Sequence, residues 1–115
     1  MKPEDEILAD FADRGVRRGK TTYYDAATAA AIVHVCASRG IVVLAVEGLL
    51  VKGGSIYPNL DAIMDGSMGG YDGNWENLVR LCNQGALNLI EEYASIPGYV
   101  FDLDLRSKET WEENH

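Results

Sequence analysis

The sequence predicts a single α+β domain in which two or three helices pack on one face of a small, mostly antiparallel sheet. Three observations predict this fold. The chain has 115 residues, a common length for one domain with one core. Neither an internal repeat nor a shift in composition marks a second domain. The patterned segments follow the order helix, helix, strand, strand, loop, helix, strand, whereas a parallel α/β protein would alternate strands with helices.

Residues 1–20 predict a short helix and a basic connector. In "PEDEILADFADRG", Pro3 suits a first helical turn, acids lie near the N-terminus, and Ile7, Leu8 and Phe11 fall on one side. We therefore expect this helix to pack on the core. In the connector "RGVRRGK", three arginines without a strand-loop-helix frame are more typical of a solvent-exposed loop than of a phosphate site.

The segment "TTYYDAATAAAIVHVCASRG" predicts the first long helix. Thr22 and Asp25 resemble a capping box, with Asp in place of the usual Glu, and Gly40 is placed to end the helix. Alanine-rich helices pack closely against sheets, so we expect this helix to cover the core face of the sheet.

A β-hairpin, a second long helix and a closing strand follow. "IVVLAVEGLLV" predicts a strand that bends at Gly48, "KGG" a turn, and "SIY" a return strand that stops before Pro58. The helix in "NWENLVRLCNQGALNLIEEYA" has Asn74 available as its N-cap. "GYVFDLDLR" alternates apolar residues with polar ones, which predicts a strand whose outer face carries Asp102 and Asp104.

The predicted core therefore spans residues 21–105, preceded by the 1–20 segment and followed by an acidic tail, 106–115. The tail is polar apart from Trp111. Because such a terminus has little to bury, we expect its removal from Glu109 onward to leave folding intact.

Charge is distributed unevenly along the chain, whose formal net charge is −8. Residues 1–39 carry six acids and six bases, whereas residues 40–115 carry twelve acids and four bases, with no base between Lys52 and Arg80. Such a field repels nucleic acid and anionic lipid and attracts basic surfaces, so we expect neither nucleic acid nor membrane as a partner. No apolar run approaches the about 20 residues of a membrane span, and the acidic N-terminus lacks a secretory signal, which favours a cytoplasmic protein.

Residues that could carry catalysis are few. His34 has no His, Cys or carboxylate partner at helical spacing, and Cys36 and Cys82 are expected to be buried free thiols rather than a disulfide or metal ligands. Motifs for phosphate, dinucleotide or EF-hand calcium binding are absent. We therefore expect no enzymatic activity and no cofactor. A small metal-dependent hydrolase, with Asp61, Asp65 and Asp72 as ligands, is the catalytic alternative.

The order of elements, the helix "DAATAAAIV" and the motif "YDGNW" (Tyr71, Asp72, Asn74 and Trp75) together resemble a family of small immunity proteins. These belong to bacterial polymorphic toxin systems of the contact-dependent inhibition type. The resemblance covers about Thr21 to Leu105 and implies a protein that binds and neutralises a cognate toxin domain.

The acidic, aromatic stretch that contains this motif is the predicted partner-binding surface. It would attract a basic, nuclease-like toxin through carboxylates and hold it through rigid aromatic rings and adaptable methionines, Met64 and Met68. The predicted contact residues are Tyr57, Asp61, Asp65, Tyr71, Asp72, Trp75 and Glu76. In the structural alternative, Tyr71 and Trp75 pack inward at the start of the second long helix. In the functional alternative, the same surface binds a basic protein or peptide that is not a toxin.

Overall fold

Helices and strands alternate in short runs through the part of the chain that the computed structural model describes, residues 1–69 and 71–113. The side chain of Met68 lies outside the described part, as do Gly70, Asn114 and His115. The helices are α1 (Pro3–Asp10), α2 (Ala26–Ser38), α3 (Trp75–Tyr93) and α4 (Lys108–Glu113), and short 3-10 turns span Ala12–Arg14 and Gly66–Met68. The strands are β1 (Val16–Arg18), β2 (Thr21–Tyr23), β3 (Val42–Lys52), β4 (Ser55–Asp65) and β5 (Tyr99–Arg106).

Two antiparallel sheets form, one from β1 and β2 and one in the order β4-β3-β5. The predicted α+β class is therefore confirmed. The apolar strand β3 lies at the centre of the larger sheet, as its near-continuous hydrophobicity indicates. Its register with β4 shifts between Glu47 and Leu49, which confirms the irregularity predicted at Gly48.

The main core lies between one face of the larger sheet and the helices α2 and α3. Phe101 and Leu105 of β5 are buried there together with Ile32 of α2 and Ile90 of α3. Ile7 of α1 joins this core, which fits the amphipathic pattern of the first helix. None of the helices in the described part is long and apolar enough to cross a bilayer.

The side chain of Asn83 joins α3 to the first residues of β3. It is buried, its Oδ1 accepts a hydrogen bond from the Val43 N–H at 2.7 Å, and its Nδ2 donates to the Ile41 carbonyl at 3.0 Å. Both backbone groups are thereby satisfied away from water, where an unpaired group would be costly. The amide therefore fixes where along β3 the helix packs.

Two predictions about the N-terminal third are wrong. The basic connector is the β1–β2 hairpin, whose turn uses Gly19 at φ 63°, and Arg18 donates to the Gly54 carbonyl at 3.0 Å. The cap of α2 is Asp25 alone, which accepts from the Thr28 N–H at 2.8 Å, while Thr22 belongs to β2. A three-residue strand is too short to show the alternation by which strands are recognised.

The predicted end of the second hairpin strand before Pro58 is also wrong, because β4 continues to Asp65. Pro58 lacks an N–H but lies on an edge strand, where one side of the backbone needs no ladder hydrogen bond. Asp61 and Asp65 are consequently strand residues and not loop residues.

The segment predicted as a dispensable acidic tail contains Arg106, the last residue of β5, and the helix α4. Trp111 of α4 is buried in a second cluster that includes Val42, Leu44 and Trp75. Ser107 connects this helix to the chain start, since its N–H donates to a Glu4 carboxylate oxygen at 2.7 Å. Removal of the residues from Glu109 onward would expose this cluster, which argues against the expectation that they are dispensable for folding.

Trp111→Ala should lower the free energy of unfolding by about 3 kcal/mol, because it empties the centre of the second cluster. The matched control is Glu112→Ala, which changes an exposed residue of the same helix and should alter stability by less than about 0.5 kcal/mol. Urea unfolding followed by circular dichroism measures both. Equal midpoints for the two variants would contradict the docking of α4.

The thiol of Cys36 should react slowly in the native protein. Burial raises the pKa of Cys36 to about 12 and also raises the pKa of Cys82, so little thiolate is present at neutral pH. Labelling with a chromogenic disulfide reagent should be slow for the native chain and fast in denaturant, where both thiols are exposed. Native labelling of Cys36 at the denatured rate would show that its side chain is accessible.

Candidate functional site

The predicted contact residues do not form one continuous surface. Tyr57 pairs with Leu50 near the hairpin turn, whereas Asp65 pairs with Ala45 at the other end of β4. At about 3.3 Å per residue, these positions are separated by about 25 Å along the strand. Tyr71, Asp72 and Glu76 lie beyond Asp65, at the start of α3, so Tyr57 belongs to a different part of the surface.

The interface role predicted for Trp75 is incompatible with its position. Only 9% of its surface is exposed, and its Nε1 donates to the Gly40 carbonyl at 2.7 Å. Its ring packs beside Trp111, with 6.4 Å between centroids. The structural alternative is therefore correct for Trp75. This side chain, the first of α3, packs over the turn that precedes β3.

Tyr71 and Asp72 have local roles at the entry to α3. Tyr71 is partly exposed and makes an edge contact with the Trp111 ring, with 5.6 Å between centroids. The Asp72 carboxylate accepts from the Asn74 N–H at 2.9 Å, and Asn74 caps the helix as predicted. Glu76 is exposed in the first helical turn, where its charge favours the helix dipole. These contacts account for "YDGNW" as a helix-entry motif.

The structure gathers a different set of carboxylates on the face of the larger sheet that is turned away from α2 and α3. A concavity of about 150 Å³ lies on this face. Glu47 is directly opposite Ile63 on one side and Asp102 on the other, while Ala45 is opposite Asp65 and Asp104. We call this surface the acidic face; it comprises Ala45, Glu47, Ile63, Asp65, Asp102 and Asp104.

Within the acidic face, Asp102 is perturbed by its surroundings. Burial raises the pKa of Asp102, and the nearby charges of Glu47 and Asp104 raise it further. Asp104 is balanced by Arg106, whose Nε lies 2.9 Å from its carboxylate. Asp65 is exposed, and hydrogen bonds from the Ser67 hydroxyl and N–H lower its pKa. Like charges that face each other across strands destabilise a sheet, so the repulsion between Glu47 and Asp102 lowers the stability of the fold.

Large apolar side chains border this face along β4, the open edge of the sheet. Leu60 is 85% exposed, and Ile63 is exposed by about half. Asp61 is exposed within the same stretch. An apolar strip beside fixed charge is the composition of many protein-binding surfaces. We call Leu60, Asp61 and Ile63 the β4 margin.

Sequence reasoning found part of this surface and missed part. Asp61 and Asp65 were predicted as contacts, and Asp102 and Asp104 as the outer face of the last strand, whereas the predicted contact Tyr57 lies elsewhere on β4. Glu47 and Leu60 were missed. Glu47 could have been found, because it is the only acid in the apolar run of β3. Successive side chains of a strand point to opposite faces, so an acid between two buried residues lies on the outward face.

The geometry gives no support to the metal-site alternative. Among the described residues, no three or more His, Cys, Asp or Glu side chains are grouped to hold a metal ion. Asp61, Asp65 and Asp72 are therefore not assembled as ligands. In comparisons with known proteins, neither a family model, nor a curated protein, nor a solved structure gives a significant match.

Asp102→Asn should stabilise the isolated protein near neutral pH. The pKa of this carboxyl is higher in the folded chain than in the unfolded chain, so the protonated form favours folding and the ionised form opposes it. Its contribution to the free energy of unfolding is therefore fully present below the unfolded pKa and is lost as the pH rises through the folded pKa. We expect a gain of about 0.5 kcal/mol at about pH 7 that disappears near pH 3, where both chains are neutral at this position.

Thermal unfolding at the two pH values measures the difference. Asp13→Asn is the matched control, since it removes the same charge from an exposed residue outside the acidic face. A loss of stability in Asp102→Asn at neutral pH would show that the carboxylate makes a favourable structural contact instead.

Proposed function

We propose that this chain is an immunity protein that binds and neutralises a cognate bacterial toxin domain with a basic, nuclease-like surface. The observation that carries the proposal is the acidic face, where Glu47 and Asp102 face each other directly across the central and last strands. Their repulsion costs stability, and a partner of opposite charge would relieve it. The resemblance of "YDGNW" and its flanking elements to immunity proteins supports the same function.

A nuclease-like toxin presents a basic cleft because its substrate is polyanionic. Carboxylates at fixed positions on a sheet can occupy such a cleft in place of phosphates, and their field speeds diffusional encounter. The β4 margin would then supply apolar contacts that exclude water and slow dissociation, with Leu60 as its most exposed side chain. Such a partnership would operate in the cytoplasm, where a delivered nuclease meets its substrate.

The second candidate is a binding module for a basic protein or peptide that is not a toxin. The same surface supports it, because charge and apolar area indicate the chemistry of a partner and not its activity. A metal-dependent hydrolase is favoured less, since Asp61, Asp65 and Asp72 are not grouped.

Co-expression with the product of the gene immediately upstream separates these candidates. An immunity protein should restore growth to cells that express this product and should co-purify with it. A complex without restored growth would favour the binding module. Neither a complex nor restored growth would contradict the proposal for this gene pair.

With a purified complex, neutralising the acidic face by Glu47→Gln, Asp65→Asn and Asp102→Asn should slow association at low salt by about tenfold or more. The matched control removes three exposed charges elsewhere by Asp13→Asn, Glu91→Gln and Glu92→Gln. Stopped-flow or surface-based kinetics at two ionic strengths measure both. Equal association rates and equal salt dependence in the two triple variants would place the interface on another surface.

A further inference from the structure

A second concavity lies on the other side of β5, between α1, the β1–β2 hairpin and the strand. Its volume is about 460 Å³, within the range of about 300 to 1,000 Å³ that is typical of small-molecule sites. Leu8 of α1 and Leu103 of β5 are among its apolar lining residues. Asp102 borders both this cavity and the acidic face.

Charged side chains of both signs line the cavity from different elements. Asp5 comes from α1 and Asp102 from β5, while Arg17 comes from β1 and Lys20 from the hairpin turn. None of these four takes part in a salt bridge within the described residues, where the ion pairs join other side chains. The cavity therefore offers positive and negative groups that no salt bridge joins, and the Arg17 Nε donates to the Gly19 carbonyl at 3.1 Å.

Tyr24 adds a polar group to the lining of this cavity. Its side chain lines the cavity and the residue is only 3% exposed, but among the described residues its hydroxyl oxygen is not one of the fully buried atoms without a partner, so it keeps contact with solvent. Backbone hydrogen bonds with Phe101 at 2.9 and 2.7 Å hold the residue in place. A hydroxyl that keeps solvent contact can hydrogen-bond to water or to a bound molecule.

We propose that this cavity binds a small zwitterion of amino-acid size. Its ammonium group would lie towards Asp5 and Asp102, and its carboxylate towards Arg17 and Lys20, with the Tyr24 hydroxyl as a further hydrogen-bonding group. A purely anionic ligand would leave the two carboxylates unpaired, and a purely cationic one would meet Arg17 and Lys20. This proposal does not depend on the proposed toxin-binding role, although the cavity and the acidic face share Asp102.

Burial and the neighbouring Asp102 charge raise the pKa of Tyr24, so the phenol is protonated at neutral pH and can both donate and accept a hydrogen bond. Asp102 is surrounded by the negative charges of Glu47 and Asp104, and a ligand ammonium would offset them. The negative charge around Asp102 favours a ligand that carries a cationic end.

The test is a thermal-shift and calorimetric titration of the full chain with each of the twenty common L-amino acids. Acetate and ethylammonium serve as probes that carry one charge only. We expect saturable binding of at least one amino acid and none of either single-charge probe. The proposal is overturned if no amino acid binds saturably, or if a single-charge probe binds as tightly as the best amino acid.

Two substitutions test whether the amino acid binds in this cavity. Arg17→Gln should weaken it by about tenfold or more, because a charge-assisted hydrogen bond to the carboxylate is lost. Tyr24→Phe keeps the ring and should weaken binding several-fold. Arg14→Gln is the control, since Arg14 lies over the Phe11 ring outside the cavity lining. Unchanged affinity in Arg17→Gln and Tyr24→Phe would exclude this cavity as the binding site.

Discussion

The fold depends on the buried amide of Asn83. At the start of β3 the ladder with β5 shifts between Val43 and Ala45, so backbone groups there need partners from outside the sheet. Asn83 supplies both a donor and an acceptor from α3, and each group left unpaired would cost roughly 1 to 3 kcal/mol. Trp75, two turns earlier on the same helix, hydrogen-bonds to the Gly40 carbonyl of the preceding turn. One helix thereby fixes the entry of the central strand, and the other strands are positioned on it.

The acidic face follows from the register that this arrangement sets. Glu47 lies between Ile63 and Asp102 only in the observed pairing, and a slip of one residue would turn it towards the helices. Burying an unpaired carboxylate there would be costly, so the alternative register is disfavoured. The same residue that repels Asp102 across the strands therefore also helps to specify which face of β3 is outward.

The sequence predicted elements whose evidence is local and missed those that depend on distant partners. Asn74 was found as a cap because its position relative to the helix is fixed within one turn. Trp75 could not be assigned to the core, because its cover comes from Trp111, 36 positions later, on a helix whose other residues are polar. The length of β4 was underestimated because Pro58 is tolerated only at a sheet edge, and edge position is a property of the assembled sheet.

The link between the two ends of the chain affects how the fold assembles. Glu4 binds the Ser107 N–H, and Lys2 forms an ion pair with Glu113 at 2.7 Å, so α1 contacts residues more than a hundred positions away. During synthesis, α1 emerges long before its contacts exist, and the buried place of Glu4 is completed only when the last helix has formed. Closing so long a loop is slow relative to local structure. Helices α1 and α4 should therefore dock late and open together as one cooperative unit.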